Sequence, residues 1–310
     1  MRHALVTGGS GYLGSHVCKL LKNNGWNVSI LDIKFPRHNY VDNFFQTDIR
    51  DKDALKEIFY HHQYDVVFHF AGKIDVAEST LLPTEYFDVN TAGTCNLVNV
   101  MKSCGVKNIV YSSTAAVYQT RRRALFEDDT INPKNSPYAG SKLAAEYAIS
   151  QSKLNHIIFR YFNLAGADPN GELGENHDPE THLIPKMIQN LNNFEIYGKD
   201  YNTFDGTCIR DYVHVCDVAE AHLTAFNYLE SGGESTIINL GSGLGYSILQ
   251  IKSVVENVLG KKVVCTEKPR RPGDPEILIS SINKAKKLLN FLPKNDIVAI
   301  VQTAFNWHNR

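Results

Sequence analysis

Long apolar runs are missing from this sequence. No stretch approaches the ~18 residues that a membrane span requires, and only Ala4, Leu5 and Val6 form an apolar run before the segment Thr7-Gly8-Gly9. That run is too short for a signal-peptide core, so work in the cytoplasm is expected. Paired cysteines are missing too: the six stand at 18, 95, 104, 208, 216 and 265, with no Cys-x-x-Cys among them. The scatter fits neither a zinc site nor a secreted disulfide framework. An excess of charge of one sign is also absent, since 32 basic residues face 33 acidic ones for a net charge of −1. Such a balance offers no field to nucleic acid or to an anionic membrane, and the densest basic cluster, Arg121-Arg122-Arg123, reads as a solvated loop. His61-His62 read as an exposed pair at a helix end, while His177, His182 and His214 lie in different segments without ligand spacing. No metal is expected.

What is present is alternation. Ala4–Val6, Val28–Leu31, Val66–Phe70, Asn108–Tyr111 and Ile157–Tyr161 are short runs rich in β-branched and aromatic residues, as strands covered on both faces require. Between them Ser15–Asn24, Lys52–His61, Glu85–Ser103 and Tyr138–Ser152 read as helices. Repeated β-α units predict an α/β fold, a Rossmann-type doubly wound parallel sheet that binds ligands at the carboxyl ends of its strands. After Phe162 glycine and proline become frequent, with helices at His182–Leu191, Val215–Leu229, Ser247–Leu259 and Ile282–Leu289. Thr236–Leu240 and Val263–Thr266 are expected to return in part to the sheet. The organisation predicted is residues 1–162 as a dinucleotide-binding domain and 163–310 as a smaller mixed α/β substrate-binding domain, with some segments returning to the first.

The turn Thr7-Gly8-Gly9-Ser10-Gly11-Tyr12-Leu13-Gly14 joins the first strand to the first helix. Gly8, Gly11 and Gly14 let backbone N–H groups approach a pyrophosphate, and the helix N-terminus adds orphan donors and a favourable dipole. Asp32 ends the second strand 18 residues after Gly14. A carboxylate there accepts hydrogen bonds from both adenosine ribose hydroxyls and repels a 2′-phosphate, which predicts NAD rather than NADP.

Tyr138 and Lys142 stand at i and i+4 on one helix face, with Pro137 at the helix start. A free phenol, of pKa about 10, is a poor base near neutrality. A neighbouring ammonium and an oxidised nicotinamide ring favour the phenolate, which equips Tyr138 to deprotonate an alcohol whose carbon loses hydride. Ser112-Ser113-Thr114 closes the fourth predicted strand, where hydroxyls can hold the substrate oxygen and relay its proton.

These segments together resemble the UDP-galactose 4-epimerases of the extended short-chain dehydrogenase/reductase superfamily. The likeness runs through Thr7–His16, Asp48-Ile49-Arg50, Phe68–Gly72, Ser112–Tyr118, Arg160-Tyr161-Phe162-Asn163, Asp205-Gly206-Thr207, Arg210–Val215, Asn239-Leu240-Gly241 and Arg270–Asp274. It implies that Tyr12, Leu13, Asp48, Ile49, Phe70, Ala71, Gly72, Asn90, Ser112 and Tyr161 join the glycines, Asp32, Tyr138 and Lys142 around NAD. It further implies that Asn163 and Arg210, assisted by Arg271, hold the phosphates of a UDP-sugar, that Asp274 holds its ribose, and that Leu183 and Tyr197 pack around uracil. A guanidinium suits pyrophosphate because it donates two hydrogen bonds at once. The implied reaction oxidises C4 to a ketone, rotates the sugar and returns the hydride to the other face, with Thr114 beside Tyr138. Leu278, four beyond Asp274, falls at the family's gate beside the sugar C2 substituent. Family members dimerise through two helices, here Glu85–Ser103 and Tyr138–Ser152.

Some residues depart from the family pattern. Thr114 replaces a frequent serine and keeps the hydroxyl. Ile74 replaces a cofactor-contacting lysine, with Lys73 one place early; Gln119 replaces a glycine; and the segment from Asp32 to Phe44 is short. A 4,6-dehydratase requires an acidic pair after the serine-motif hydroxyl, where this chain has Ala115-Ala116. A non-catalytic NAD-binding regulator has no need to keep Thr114, Tyr138 and Lys142 together. A 4-epimerase of pentose or uronate nucleotides shares all these features.

Overall fold

The computed structural model describes residues 1–271 and 273–310, so Pro272 lies outside the described residues. The chain divides into two compact units: Met1–Gln119, Thr130–Arg160 and Ala219–Ile238 form the first, and Thr120–Asp129, Tyr161–Val218 and Asn239–Arg310 the second. The expected division at residue 162 lies beside one of several crossings between them.

In the first unit, β1 (His3–Thr7), β2 (Asn27–Asp32), β3 (Asn43–Gln46), β4 (Val66–His69), β5 (Asn108–Thr114), β6 (Asn155–Tyr161) and β11 (Thr236–Leu240) make a seven-stranded sheet in the order β11-β6-β5-β4-β1-β2-β3. The pairs of β1 with β2 and β4, of β2 with β3 and of β4 with β5 are parallel. Around the sheet run α1 (Tyr12–Asn23), α2 (Lys52–His61), α3 (Val76–Leu81), α4 (Pro83–Phe87), α5 (Thr94–Ser103) and α6 (Pro137–Gln151). Alternate strand residues face opposite sides. Leu5, Leu31, Val67, Ile109 and Ile158 therefore pack with Leu55, Phe59, Leu97, Met101 and Ile149 in one buried cluster. Each such side chain contributes about 1.5–3 kcal/mol by leaving water. On α8 (Val215–Glu230), Phe226 meets Trp26 edge to face at 5.0 Å. Strand order reverses between β1 and β4, the switch point at which a doubly wound sheet opens a crevice.

The helix expected over Glu85–Ser103 is interrupted: α4 stops at Phe87, and a π turn spans Asp88–Gly93 before α5. Side chains explain the extra residue in the turn. Asn90 is hooked to the backbone of Lys73 on both sides, and Gly93 sits so close on Ile49 that an added Cβ would lie 2.6 Å from Ile49 Cγ2. π bulges of this kind recur at functional sites.

In the second unit, β7 (Asn163–Ala165) pairs in parallel with β10 (Tyr212–His214), β9 (Ile209–Arg210) lies between β12 (Tyr246–Ser247) and β14 (Ile277–Leu278), and β8 (Phe194–Tyr197) pairs with β13 (Cys265–Lys268). The strand expected over Val263–Thr266 thus belongs to a small separate sheet and not to the central one. Helices α7 (Leu183–Gln189), α9 (Ile248–Leu259), α10 (Asn283–Leu289) and α11 (Ile297–His308) accompany these strands. Ile184 and Met187 of α7, Ile251 and Val255 of α9, and Ile300 and Val301 of α11 share one core. Helix α9 starts with a reciprocal capping box between Ser247 and Gln250 and ends at left-handed Gly260.

His177 and His182, read from sequence as lacking ligand spacing, come together in this unit. Bends at Asp178 and Pro179 fold the segment so that ligand atoms of Glu175, His177, Glu180 and His182 lie within 4.8 Å of one another. The order of residues along an irregular loop does not reveal such a meeting. No helix among the described residues is long and apolar enough to cross a membrane.

Candidate active site

The glycine turn is built for backbone approach. Gly8 has φ +71°, and a Cβ on it would lie 2.6 Å from Ala71 N; a Cβ on Gly14 would lie 2.2 Å from Gly8 O. Gly11 caps α1 without any side-chain cap, and the first turn of α1 holds no acidic residue. This leaves the orphan N–H groups and the positive end of the dipole for an anion. Leu13 is buried and Tyr12 half-buried, edge-on to His16 at 5.4 Å. Asp32 is drawn to the turn: its Oδ2 accepts from Ser10 N at 3.0 Å and its Oδ1 from Lys34 N at 3.0 Å.

Asp48 and Ile49 are placed differently from each other. The Arg50 guanidinium donates to Asp48 at 2.7 Å and 3.0 Å and holds its carboxyl below the usual range. The Ile49 side chain belongs to the sheet core. Phe70, Ala71 and Gly72 leave β4 at the switch point. Gly72 runs flat against Asn90, whose Oδ1 would lie 2.8 Å from an added Cβ. Asn90 itself is buried, accepts from Lys73 N at 2.8 Å and donates to Lys73 O and Ser141 Oγ at 3.0 Å each. It thereby fastens the exit of β4 to α6. Lys73 Nζ is taken by Glu78 at 3.2 Å and Glu85 at 3.0 Å.

The residues expected to transfer the proton meet on α6 and β5. Ser136 caps α6 by accepting from Ala139 N, and Pro137 opens its first turn. This sets Tyr138 and Lys142 one turn apart on a buried face. Tyr138 stands beside Thr114; burial raises the phenol above its ordinary value, and the nearby Thr114 hydroxyl works the other way. Thr114 Oγ1 also accepts from Ala116 N at 3.1 Å, which fixes its rotamer at the end of β5. Ser112, two residues earlier on the strand and so on the same face, is half-buried. Lys142 Nζ lies 4.8 Å above the Tyr111 ring, and burial lowers its pKa to about 8 while Glu146 works to raise it. A weakly held ammonium of this kind gains most from a phenolate or a ligand hydroxyl close by.

One element of the site is not visible from motifs. Arg160 donates to Glu146 at 3.0 and 2.7 Å, Ser113 Oγ donates to the same carboxylate, and the guanidinium lies 4.8 Å over Tyr118. Glu146 is four residues past Lys142, so one helix face carries phenol, ammonium and carboxylate in succession. That spacing was the available signal.

In the second unit the predicted substrate residues fall into three groups. Arg210 on β9 is buried and ion-paired with Asp274, not with its neighbour Asp211. Asp211 instead accepts from the backbone of Ser242, Gly243 and Ser280. Leu278 pairs with Arg210 in the parallel ladder and Ile277 with Ile209. Ile209 and Ile279 both close on Gly245, so Leu278 shares the Arg210 face while its isoleucine neighbours face away. Arg271 stacks over Tyr197 at 4.1 Å. Asn163 and Leu183 line one small cleft with Tyr212 and Pro185. Tyr161 is buried at the end of β6.

A glycine cradle at the strand-order reversal, an acidic residue ending β2 and a buried Tyr-x-x-x-Lys agree with one family description. The NAD dependent epimerase/dehydratase family matches residues 4–241. The chain belongs to that family. This family member is 42% identical to the curated UDP-glucose 4-epimerase of Lacticaseibacillus casei, with 98% of this chain and 96% of that protein covered. It is also similar to the crystal structure of UDP-glucose 4-epimerase from Brucella ovis in complex with NAD, at TM-score 0.93 and 37% identity over 98% of each chain. A further likeness is to the UDP-Glc/GlcNAc 4-epimerase of Campylobacter jejuni, at TM-score 0.84 and 34% identity over 99% of each chain.

Proposed function

We propose that this chain is a UDP-glucose 4-epimerase that interconverts UDP-galactose and UDP-glucose through a transient 4-keto sugar. The observation that carries the reading is the buried Tyr138 beside the Thr114 hydroxyl, with Lys142 one helical turn away on the same buried face of α6.

The residues fit NAD: Gly8 and Gly14 have no room for a Cβ, and Asp32 sits beside the turn. Asp32 holds the adenosine ribose, and the N-terminus of α1 holds the pyrophosphate. NAD supplies a hydride acceptor at C4 that gives the hydride back within the same cycle. Thr114 orients the 4-hydroxyl, and Tyr138 takes its proton as hydride leaves, then returns it. Lys142 favours the phenolate by Coulomb attraction in a low-dielectric setting. In the second unit Arg210, Arg271 and Asn163 hold the diphosphate, Asp274 the uridine ribose, and Leu183 and Tyr197 the uracil. Firm anchoring of UDP leaves the sugar free to present either face.

Leu278 borders the sugar C2 substituent on the Arg210 face. Leucine is shorter than tyrosine, so UDP-N-acetylhexosamines are accepted as well. The enzyme works in the cytoplasm as a homodimer formed through α5 and α6. Tyr147 of α6, 70% exposed, supports that interface.

The test is incubation of the purified chain with UDP-galactose, UDP-glucose, their N-acetyl counterparts and pentose and uronate nucleotides, with NMR assignment of C4. Conversion of hexose nucleotides supports the reading. Conversion of the pentose or uronate substrates alone overturns it.

A further inference from the structure

The loop before α7 gathers two histidines and two carboxylates that the proposed chemistry does not use. Glu175 Oε1 lies 2.6 Å from His182 Nδ1 and 3.2 Å from His177 Nδ1, and Glu180 Oε1 lies 3.4 Å and 4.0 Å from the same nitrogens. Neither Nδ1 is aligned for a hydrogen bond despite these short separations, and both are shut off from water. The carboxylates are deeply covered, with the Glu175 and Glu180 side chains only 4% and 8% exposed. Glu180 Oε1 is fixed by Thr181 N and His182 N at 2.9 Å each, which leaves its Oε2 buried with no partner at all. An unpartnered oxygen on a nine-tenths-buried carboxylate is costly unless something electropositive meets it.

We infer that Glu175, His177, Glu180 and His182 bind one divalent transition-metal ion, zinc being the best match, as a closed four-ligand structural site. Two imidazole nitrogens and two carboxylate oxygens are a set that zinc accepts, and tetrahedral bonds of about 2.0–2.1 Å put neighbouring ligand atoms roughly 3.4 Å apart. Glu175 Oε1 stands 2.6 and 3.2 Å from the two Nδ1 atoms, a little inside that value, and one ligand atom from each of the four residues lies within 4.8 Å of the others. The surroundings hold the ligands in place. Trp307 Nε1 donates to Glu175 O at 2.8 Å, and Gly174 lies so flat on the Trp307 ring that a Cβ would come within 2.4 Å of it. His182 is the N-cap residue of α7, and Leu183 is its first helical residue. The ion therefore ties the irregular segment 175–182 to the start of α7 and fixes where Leu183 stands. Glu175 and His182 line the same cleft as Asn163 and Leu183, so the ion would shape that cleft, while its binding is measured without sugar turnover.

The experiment uses the full chain, stripped with a chelator and titrated with Co²⁺ and then Zn²⁺. The expected result is saturable uptake of one Co²⁺ per chain with the visible d–d absorption of a tetrahedral complex, and its displacement by Zn²⁺. Zinc at one hundred times Kd should raise Tm by about 5 °C. Glu180→Gln and His177→Ala, one nearly isosteric and one removing an imidazole less covered than the carboxylates, should each weaken Co²⁺ binding at least about 100-fold. Failure of the wild-type chain to take up Co²⁺ with tetrahedral absorption overturns the assignment, as does undiminished binding in both variants. Neither outcome depends on sugar turnover.

Discussion

Replacing Glu146 by Gln keeps the length of the side chain and removes its charge, leaving the Arg160 guanidinium buried with no anion. Both partners are almost wholly inside, at 2% and 3% exposure, and two hydrogen bonds of 2.7 and 3.0 Å join them. Taking one partner from a buried pair costs about 3–5 kcal/mol, because the remaining charge stays buried without its counter-ion. At about 2 °C per kcal/mol for a chain of this size, Tm should fall by roughly 6–10 °C in a thermal-unfolding scan. The double variant Glu146→Gln/Arg160→Met removes the stranded charge, so it should recover most of the loss, with a coupling of about 2–3 kcal/mol in the cycle. A Glu146→Gln protein melting within about 2 °C of wild type would show that the buried pair is not what holds α6 to β6. Such a result would also weaken the case for α6 as a rigid carrier of Tyr138 and Lys142.

Tyr138→Phe should lower turnover by about 10²–10⁴-fold, with UDP affinity unchanged by isothermal titration; wild-type turnover would refute the assignment. Lys142→Met should stabilise the protein at neutral pH, because the buried amine titrates at about 8 rather than 10.5 and its charged form is penalised in the folded state. The unfolded chain binds the extra proton between about pH 8 and 10.5, so wild-type stability rises with pH there and the advantage of the variant should fade over that window. Tm measured from pH 7 to 10 checks this, and a constant difference would contradict it. Leu278→Tyr should depress activity on N-acetylated sugars selectively, by about 1–3 kcal/mol of discrimination, read as the ratio of kcat/KM values; equal loss on both substrate classes would show that Leu278 is no gate.

What could be read from sequence was what local chemistry dictates. The glycines at 8, 11 and 14 were legible because backbone approach excludes Cβ, and the contacts of Gly8 and Gly14 bear that out. Tyr138 and Lys142 were legible because i and i+4 share a helix face whatever the fold. The pairing of Arg160 with Glu146 and the gathering of Glu175, His177, Glu180 and His182 depend on packing and on a bent loop. Neither has a period to detect. The break of the 85–103 helix at Asn90 was hidden for a similar reason: its cause is a side chain hooked to the distant backbone of Lys73. The side chain of Ile49, expected beside the cofactor, belongs to the sheet core, a placement that its motif alone did not reveal.

In the proposed reaction, configuration at C4 is inverted by hydride transfer, with the proton handled separately by Tyr138. The direct measurement is turnover of UDP-galactose carrying deuterium at C4 in ordinary water, with no NAD added, followed by NMR of the UDP-glucose formed over many turnovers per chain. Deuterium is expected to stay at C4 of the product, since the same hydride leaves and returns. Loss of the label to solvent would contradict it and point to inversion by direct removal of the C4 proton.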